Sequence, residues 1–238
     1  MRSLSLRKKL LERDVRRIAL HESGHAVANH LLRYGTSILA VETARWKHGG
    51  QLHGWCYPAL KWKRIDTSDL GRRIDEGICF LAGYATEIVC GLLGDHEPED
   101  QAATIVMTEN ESGDLEKHFR LTVDLWRRFP EFRRAIADYE PAEAGLLDAV
   151  RFLQPYRKEI EQLAALLAEK FWASKDGYGA LFPEDVERIM GAPPSGMIGV
   201  QEAARLLGIH RKKVPALPGV VTFAGVYRVP ASLCTKTA

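Results

Sequence analysis

The residues best suited to chemistry in this chain are the histidines and the glutamate of Leu20-His-Glu-Ser-Gly-His-Ala-Val27. Residues four apart lie on one face of an α-helix, so His21 and His25 can bind a single metal ion together. Glu22 lies beside the first of them, where its carboxylate can take a proton from a water that the metal activates. The pattern therefore predicts a metal-binding helix that carries its own general base.

The residues around this motif favour a long amphipathic helix. The basic stretch 7–17 mixes Arg, Lys and Leu and is interpreted as the solvated start of that helix. Gly24 is costly in a helix interior, by about 1 kcal/mol relative to Ala. We therefore expect another backbone or a substrate to pass close to Gly24. The apolar stripe consists of Val15, Ile18, Val27 and either Leu31 or Leu32.

A catalytic zinc ion usually has three protein ligands and one open position, so a third ligand must come from elsewhere in the chain. Asp114 is one candidate. Ser112 is suited to cap a helix, which would place Asp114 in the first helical turn, where an anionic side chain is favoured. The apolar residues of this predicted helix are Leu115, Phe119, Thr122, Leu125, Trp126 and Phe129.

Glu87 is the second candidate, on a helix predicted over residues 69–90. A carboxylate on so apolar a helix needs a partner, which could be the metal, the other ring nitrogen of a ligand histidine, or an arginine. Spacing alone leaves the choice between Asp114 and Glu87 open. The buried stripe of this helix is predicted to be Ile74, Ile78, Leu81, Ala85 and Ile88.

Four stretches, in order along residues 14–191, resemble the FtsH-type peptidases, the proteolytic domain of membrane AAA proteases. The first, Arg17-Ile-Ala-Leu-His-Glu-Ser-Gly-His-Ala-Val, resembles their zinc helix, and Phe80-Leu-Ala-Gly-Tyr-Ala-Thr-Glu-Ile-Val-Cys-Gly resembles their Gly-Arg-x-Ala-Glu-Glu helix. Ser112-Gly-Asp-Leu-Glu-Lys-His-Phe-Arg-Leu resembles the segment whose aspartate is their third zinc ligand. Leu181-Phe-Pro-Glu-Asp-Val-Glu-Arg-Ile resembles their closing element.

The resemblance implies a zinc-dependent metallopeptidase with one zinc ion per chain. It makes Asp114 the third ligand, and Glu87 a residue near the site. That family assembles as rings, so the resemblance also implies a homo-oligomer. The family's membrane helices and ATP-binding loop have no counterpart in these 238 residues. The expected substrates are therefore peptides and flexible or already unfolded protein, without a membrane partner.

Two features depart from the family's pattern. Residues 94–111 are expected to form a longer, acidic loop, and Tyr84 replaces the arginine of the glycine helix. Only one of that helix's paired glutamates remains, Glu87. These departures concern the substrate cleft more than metal binding.

The remaining elements are predicted by periodicity. Residues 37–43 and the stretch with Trp55 and Tyr57 favour a small sheet beside the site. Its edge could pair with an extended substrate, although aromatic packing over the helix explains the same residues. His48 and His53 are interpreted as surface residues. A helical region over residues 142–173 should break at Pro155; its stripe is Leu146, Val150, Leu153, Ile160, Leu163, Leu167 and Phe171.

Residues 192–197 indicate a linker, and residues 198–238 a second, small module. Its segment from Ile198 to Val214 resembles the helix-turn-helix of excisionase and MerR-like DNA-binding modules, and Tyr227-Arg-Val-Pro-Ala-Ser-Leu resembles the end of their wing. The resemblance implies a truncated module whose second helix would face DNA. Pro215 curtails that helix, so a protein-docking module is an equal alternative. The DNA-facing candidates are His210, Arg211, Lys212 and Lys213.

Charge and cysteine content limit the partners and the compartment that the sequence predicts. The net charge of +2 is too near neutral to predict a nucleic-acid or membrane partner by charge alone. The four cysteines form no Cys-x-x-Cys pair, so we expect reduced thiols and a cytoplasmic protein. The fold class is mainly α with a small β-sheet beside the zinc helix over residues 1–191, and a winged α+β appendage.

Three functional hypotheses follow from these features. The leading one is peptide-bond hydrolysis by the zinc domain. The second is a DNA-tethered regulator, in which the zinc domain cleaves or binds a specific partner. The third is a non-proteolytic zinc hydrolase, since the same chemistry activates water against other carbonyls.

Overall fold

A computed structural model describes residues 2–32, 34–43, 52–59, 69–109, 113–135, 141–192, 196–217, 219–223 and 226–234. The helices are α1 (Arg2–Leu31), α2 (Leu70–Val89), α3 (Pro98–Thr108), α4 (Gly113–Arg128), α5 (Pro130–Ala135), α6 (Pro141–Leu153), α7 (Arg157–Ala173), α8 (Pro183–Met190) and α9 (Val200–Leu207). The strands are β1 (Thr36–Thr43), β2 (Leu52–Pro58), β3 (Tyr178–Leu181), β4 (Met197–Gly199), β5 (Val221–Phe223) and β6 (Val226–Pro230). The fold is mainly helical, as predicted. Ser112 and His48 lie outside the described residues.

Helices α1 and α2 form the centre of the molecule and pack closely at Gly24. A Cβ atom on Gly24 would lie 2.6 Å from the backbone carbonyl oxygen of Ala82 and 2.0 Å from Thr86 Oγ1. The expectation that another backbone passes close to this glycine is therefore confirmed. Val15 and Val27, from the predicted stripe of α1, are fully buried in the same core.

The boundaries of α2 and of the α6–α7 region follow the sequence closely. Asp69 caps α2, since its side chain accepts a hydrogen bond from the backbone N–H of Arg72 at 3.1 Å. Pro155 lies in a 3₁₀ turn, Gln154–Tyr156, that separates α6 from α7. This confirms the predicted break. The predicted stripe of this region is buried throughout, namely Leu146, Val150, Leu153, Ile160, Leu163, Leu167 and Phe171.

The predicted apolar face of α4 is partly wrong. Phe119 and Trp126 belong to the apolar set that recurs at helical spacing, but they are 66% and 44% exposed. The face that packs into the core consists instead of Leu115, His118, Leu121 and Leu125. This buried face includes His118, a polar residue. A pattern built from apolar residues alone omits such a position and therefore pointed to a different side of the helix.

Residues 94–111 are not simply the long loop that the sequence suggested, because α3 lies within them. Pro98 occupies the start of α3, and Glu99 and Asp100 lie in its first turn, where carboxylates are favoured. Ala102 and Ile105 are buried, and α3 packs against α6 and α2. The acidic composition that indicated a loop therefore belongs to a helix start.

The predicted sheet is present beside α1, in the order β2-β1-β3. Strand β1 pairs antiparallel with both neighbours, with Val41 opposite Gly54 on one side and Gly179 on the other. Strand β3 comes from residues far along the chain, and no periodicity predicted it. Among the described strands β2 pairs only with β1, which leaves its outer edge without a strand partner.

The C-terminal residues form a second three-stranded sheet, ordered β4-β6-β5, which packs with α9 around Ala203, Val214 and Val229. The expected second helix is a 3₁₀ helix, Arg211–Ala216, that contains Pro215. Arg228 on β6 is buried and makes a bidentate ion pair with Asp75 of α2. Its Nε donates to Oδ1 at 3.0 Å and its Nη2 to Oδ2 at 2.8 Å. The module is thus bound to the helical core through α2.

None of the described helices has the length and apolar character needed to cross a membrane. The four cysteines are free thiols.

Candidate metal centre

Two helices bring three potential ligands together. Helix α1 places His21 and His25 one turn apart, and Asp114 comes to them from the first turn of α4. Asp114 Oδ2 lies 3.2 Å from His25 Nε2 and 3.6 Å from His21 Nε2. One ligand atom from each residue lies within 4.8 Å of the others, so the group could hold a metal ion.

The hydrogen bonds on the far side of both imidazoles determine which ring nitrogen is free. His21 Nδ1 donates to Glu87 Oε1 at 2.9 Å, and His25 Nδ1 donates to the backbone carbonyl oxygen of Cys79 at 2.7 Å. Because both partners only accept, each neutral ring carries its proton on Nδ1. In these neutral forms two Nε2 lone pairs and a carboxylate oxygen of Asp114 converge, and a metal ion, or a further proton on an imidazole, would offset their mutual repulsion.

The electrostatics of the group agree with this geometry. Burial raises the pKa of Asp114, but hydrogen bonds from His21 and His25 outweigh it and hold the pKa well below its usual range. Burial lowers the pKa of His21, yet the carboxylates of Asp114 and Glu87 raise it to about 10. The site thus favours a positive charge between its acceptors, which a proton or a metal cation can supply.

Glu22 lies in the same turn as His21, is 8% exposed, and has a pKa that burial raises above its ordinary value. Strand β2 lies directly over it at Gly54. A Cβ atom on Gly54 would lie 2.7 Å from Glu22 Oε1 and 2.5 Å from Ile18 Cγ2. The carboxylate of Glu22 is therefore enclosed between α1 and β2.

Glu87 contacts His21 at Nδ1, whereas Asp114 lies near Nε2 of the same ring. It accepts from His21, as described, and from Arg17 Nε at 2.8 Å, and its side chain is 2% exposed. Of the three partners expected for this carboxylate, the histidine and the arginine are observed. Burial raises the pKa of Glu87, but His21 and Arg17 together bring it below its ordinary value, so Glu87 is ionised and orients His21.

Sequence reasoning missed two contacts that hold the His21 ring. A Cβ atom on Gly83 would lie 2.2 Å from His21 Nε2 and 2.4 Å from its Cδ2, so the ring lies directly on the glycine backbone. The Tyr84 ring meets it edge to face, with centroids 4.8 Å apart. Gly83 lies four residues before Glu87, and this spacing on one helix face was the available signal.

A cavity of about 580 Å³ opens beside His21 and Glu22. Its lining residues on α1 run from Leu11 to Glu22, a helical length of about 16 Å. One side is formed by β2 and the other by Tyr84 and Glu87. His53, which is exposed as expected, contributes to this lining. The remaining lining residues are Leu11, Asp14, Arg17, Ile18, Leu52 and Gly54.

The basic residues of the C-terminal module form a separate feature. His210, Arg211, Lys212 and Lys213 are all exposed, and they are not members of the metal group. His210 Nδ1 accepts a hydrogen bond from the backbone N–H of Lys212 at 3.2 Å and so caps the 3₁₀ helix. Arg228, from the predicted wing, is unavailable to an external ligand because it is bound to Asp75.

Comparison with known proteins adds no family assignment, since neither a protein-family model nor a curated protein matches the chain.

Proposed function

We propose that the chain is a zinc-dependent metallopeptidase that hydrolyses peptide bonds in flexible or already unfolded protein and requires no ATP. The observation that carries the proposal is the convergence of His21, His25 and Asp114 beside the buried carboxylate of Glu22. Two nitrogens and one carboxylate oxygen are a donor set typical of catalytic zinc, which keeps a further position open. The outer partners Glu87 and Cys79 support the same assignment.

In this function zinc would supply a Lewis acid that activates water and polarises the scissile carbonyl. Glu22 accepts the proton of the attacking water and transfers it to the leaving amine. Its position next to His21 on α1 places the carboxylate within one residue of a proposed ligand, as a general base for metal-activated water requires. Burial between α1 and β2 limits the positions that the carboxylate can adopt.

The neighbouring cavity supports a polypeptide as the substrate. Its length of about 16 Å matches about five residues of extended chain. Leu52, His53 and Gly54 of β2 line the cavity, and an extended segment could add to the edge of β2 that no described strand pairs with, through backbone hydrogen bonds. Flexible or unfolded protein offers extended segments of this kind, which is the class of substrate proposed.

The test is the zinc content of the purified protein, together with cleavage of an unstructured protein, measured beside Glu22→Gln. We expect one zinc per chain in both proteins and cleavage by the wild type alone, unaffected by ATP. Bound zinc without turnover on any peptide would overturn the peptidase in favour of another zinc hydrolase or a binding protein. Absence of zinc from both proteins would overturn the metal centre itself.

A second candidate is a DNA-tethered regulator in which the zinc domain cleaves or binds a specific partner. It is supported by the exposed basic run from His210 to Lys213 after the left-handed turn at Gly208. The short 3₁₀ helix and the internal use of Arg228 weigh against groove binding. The test is salt-dependent DNA retention of the full chain and of a Lys212→Ala, Lys213→Ala variant. Unchanged retention, or none, would leave a docking module.

A further inference from the structure

The two oxygens of the Asp114 carboxylate have different neighbours. Oδ2 faces the histidine pair, at 3.2 Å from His25 Nε2 and 3.6 Å from His21 Nε2. Oδ1 accepts a hydrogen bond from Lys117 Nζ at 2.8 Å. The ammonium group therefore binds the oxygen that the histidines do not contact.

The lysine side chain is held by a second contact. Lys117 Nζ lies 5.9 Å from the centroid of the Phe80 ring on α2, within the range of a cation–π interaction. Phe80 follows Cys79, whose carbonyl oxygen orients His25. The ammonium group is thus placed by α2 as well as by its own helix, although 58% of the side chain is exposed.

A carboxylate can bind a metal through one oxygen or through both. With both, Asp114 would occupy two positions, one of which water or a substrate carbonyl needs. We infer that Lys117 is a positioning residue, which keeps Oδ1 in a hydrogen bond so that Asp114 offers the metal only Oδ2. This inference rests on the proposed zinc function, and it explains how a centre with three protein ligands keeps a position open.

A plain surface ion pair is the competing interpretation, since exposed pairs three or four residues apart contribute about 1 kcal/mol or less. The same helix offers a matched example one turn later. Arg120 Nη2 donates to Glu116 Oε1 at 2.5 Å, and both side chains are exposed. Arg120→Met therefore removes a cation and an ion pair from α4 without touching Asp114.

The test replaces zinc by cobalt in the full chain and compares Lys117→Met, Lys117→Arg and Arg120→Met with the wild type. Four-coordinate cobalt absorbs visible light more strongly than five-coordinate cobalt, so the spectrum reports whether Asp114 binds through one oxygen or two. We expect Lys117→Met to lose at least half of this absorption, and Lys117→Arg and Arg120→Met to retain it. Circular dichroism confirms that each variant is folded.

Zinc affinity and kinetics supply independent readouts. Loss of the nearby positive charge should leave zinc bound to Lys117→Met as tightly as in the wild type, or about three- to tenfold more tightly. Where the wild type cleaves peptide, kcat of Lys117→Met should fall by about tenfold or more while KM changes less than twofold. A purely structural role moves neither the spectrum nor kcat alone.

The outcomes separate this inference from the proposed function. A Lys117→Met spectrum identical to the wild type, or zinc bound more than threefold more weakly, overturns the positioning role. The expected spectral change in a protein that cleaves no peptide supports the role of Lys117 and overturns the peptidase alone. A wild type that binds neither cobalt nor zinc overturns both.

Discussion

The contact between Gly83 and the His21 ring gives the sharpest prediction for the metal centre. Non-bonded carbon and nitrogen atoms are separated by about 3.5 Å at van der Waals contact, whereas a Cβ atom at position 83 would lie 2.2 Å from His21 Nε2. In Gly83→Ala the ring must therefore move by about 1.3 Å. Zinc ligand distances tolerate about 0.2 Å, so the displaced nitrogen no longer binds the ion.

The same displacement breaks the 2.9 Å hydrogen bond from His21 Nδ1 to Glu87. Loss of such an outer partner alone costs about 10- to 100-fold in metal affinity. We therefore expect Gly83→Ala to bind zinc at least about 100-fold more weakly, or by about 2.7 kcal/mol. The assay is competition with a chromogenic chelator at fixed pH.

Gly77→Ala on the same helix is the matched control. Its Cβ atom would meet Leu121 Cδ2 at 3.2 Å and His118 Cδ2 at 3.5 Å, near the ends of two side chains. Both substitutions add the same methyl group and gain helix propensity of about 1 kcal/mol, but only one lies against a proposed ligand. If Gly83→Ala bound zinc within threefold of the wild type, the assignment of His21 as a ligand in this geometry would be refuted.

Three further predictions address the surroundings of the site. Glu87→Gln removes the charge that orients His21 and should weaken zinc binding about 10- to 100-fold in the same competition assay. Arg228→Met leaves Asp75 buried without its cation and should lower the free energy of unfolding in urea by about 3 kcal/mol. The third concerns His118, whose pKa burial lowers from 6.5 to about 4. Below pH 6.5 the unfolded chain therefore takes up a proton at this histidine and the folded chain does not, so the free energy of unfolding decreases as the pH is lowered. Between pH 7 and pH 5 this loss is about 2 kcal/mol in urea unfolding, and it should be absent from His118→Leu.

Each of these has a specific contrary result. Normal zinc affinity in Glu87→Gln would mean that Arg17 and Glu87 form only a structural pair. If adding Asp75→Leu to Arg228→Met recovered no stability, the penalty would not come from an unpaired charge. For His118, the comparison is made on metal-free protein, because loss of metal at low pH also destabilises the fold. An equal loss in His118→Leu would assign the pH dependence to other groups.

The positions that the sequence predicted well are those where one residue type has one structural use. Pro155 separates α6 from α7, and Gly24 allows α2 to approach. In each case a local requirement of the backbone selects the residue, so the pattern is visible without a neighbour. The His-Glu-x-x-His spacing belongs to the same class, because the helix itself brings His21 and His25 together.

What the sequence could not provide depends on contacts between distant segments. Strand β3 is four residues long and becomes a strand by pairing with β1. His118 is buried by the helices around α4, although histidine is only of intermediate tendency to be buried, so its type alone does not predict this. Gly83 and Lys117 gain their significance only when α2 and α4 meet α1. Periodicity describes one element at a time, and each of these four features lies between elements.

Helix α2 links these observations, because it contacts the centre without contributing a ligand. Glu87 accepts a hydrogen bond from Nδ1 of His21, and the carbonyl oxygen of Cys79 accepts one from Nδ1 of His25. Gly83, which lies between these two residues on α2, contacts the His21 ring. Asp75, which anchors the C-terminal module through Arg228, lies on the same helix, twelve residues before Glu87. A shift of α2 along its axis would therefore change both histidines at once. Glu87, which spacing left as a second ligand candidate, contacts Nδ1 of His21, so it can orient the ring but lies outside the group of His21, His25 and Asp114 that could hold a metal ion.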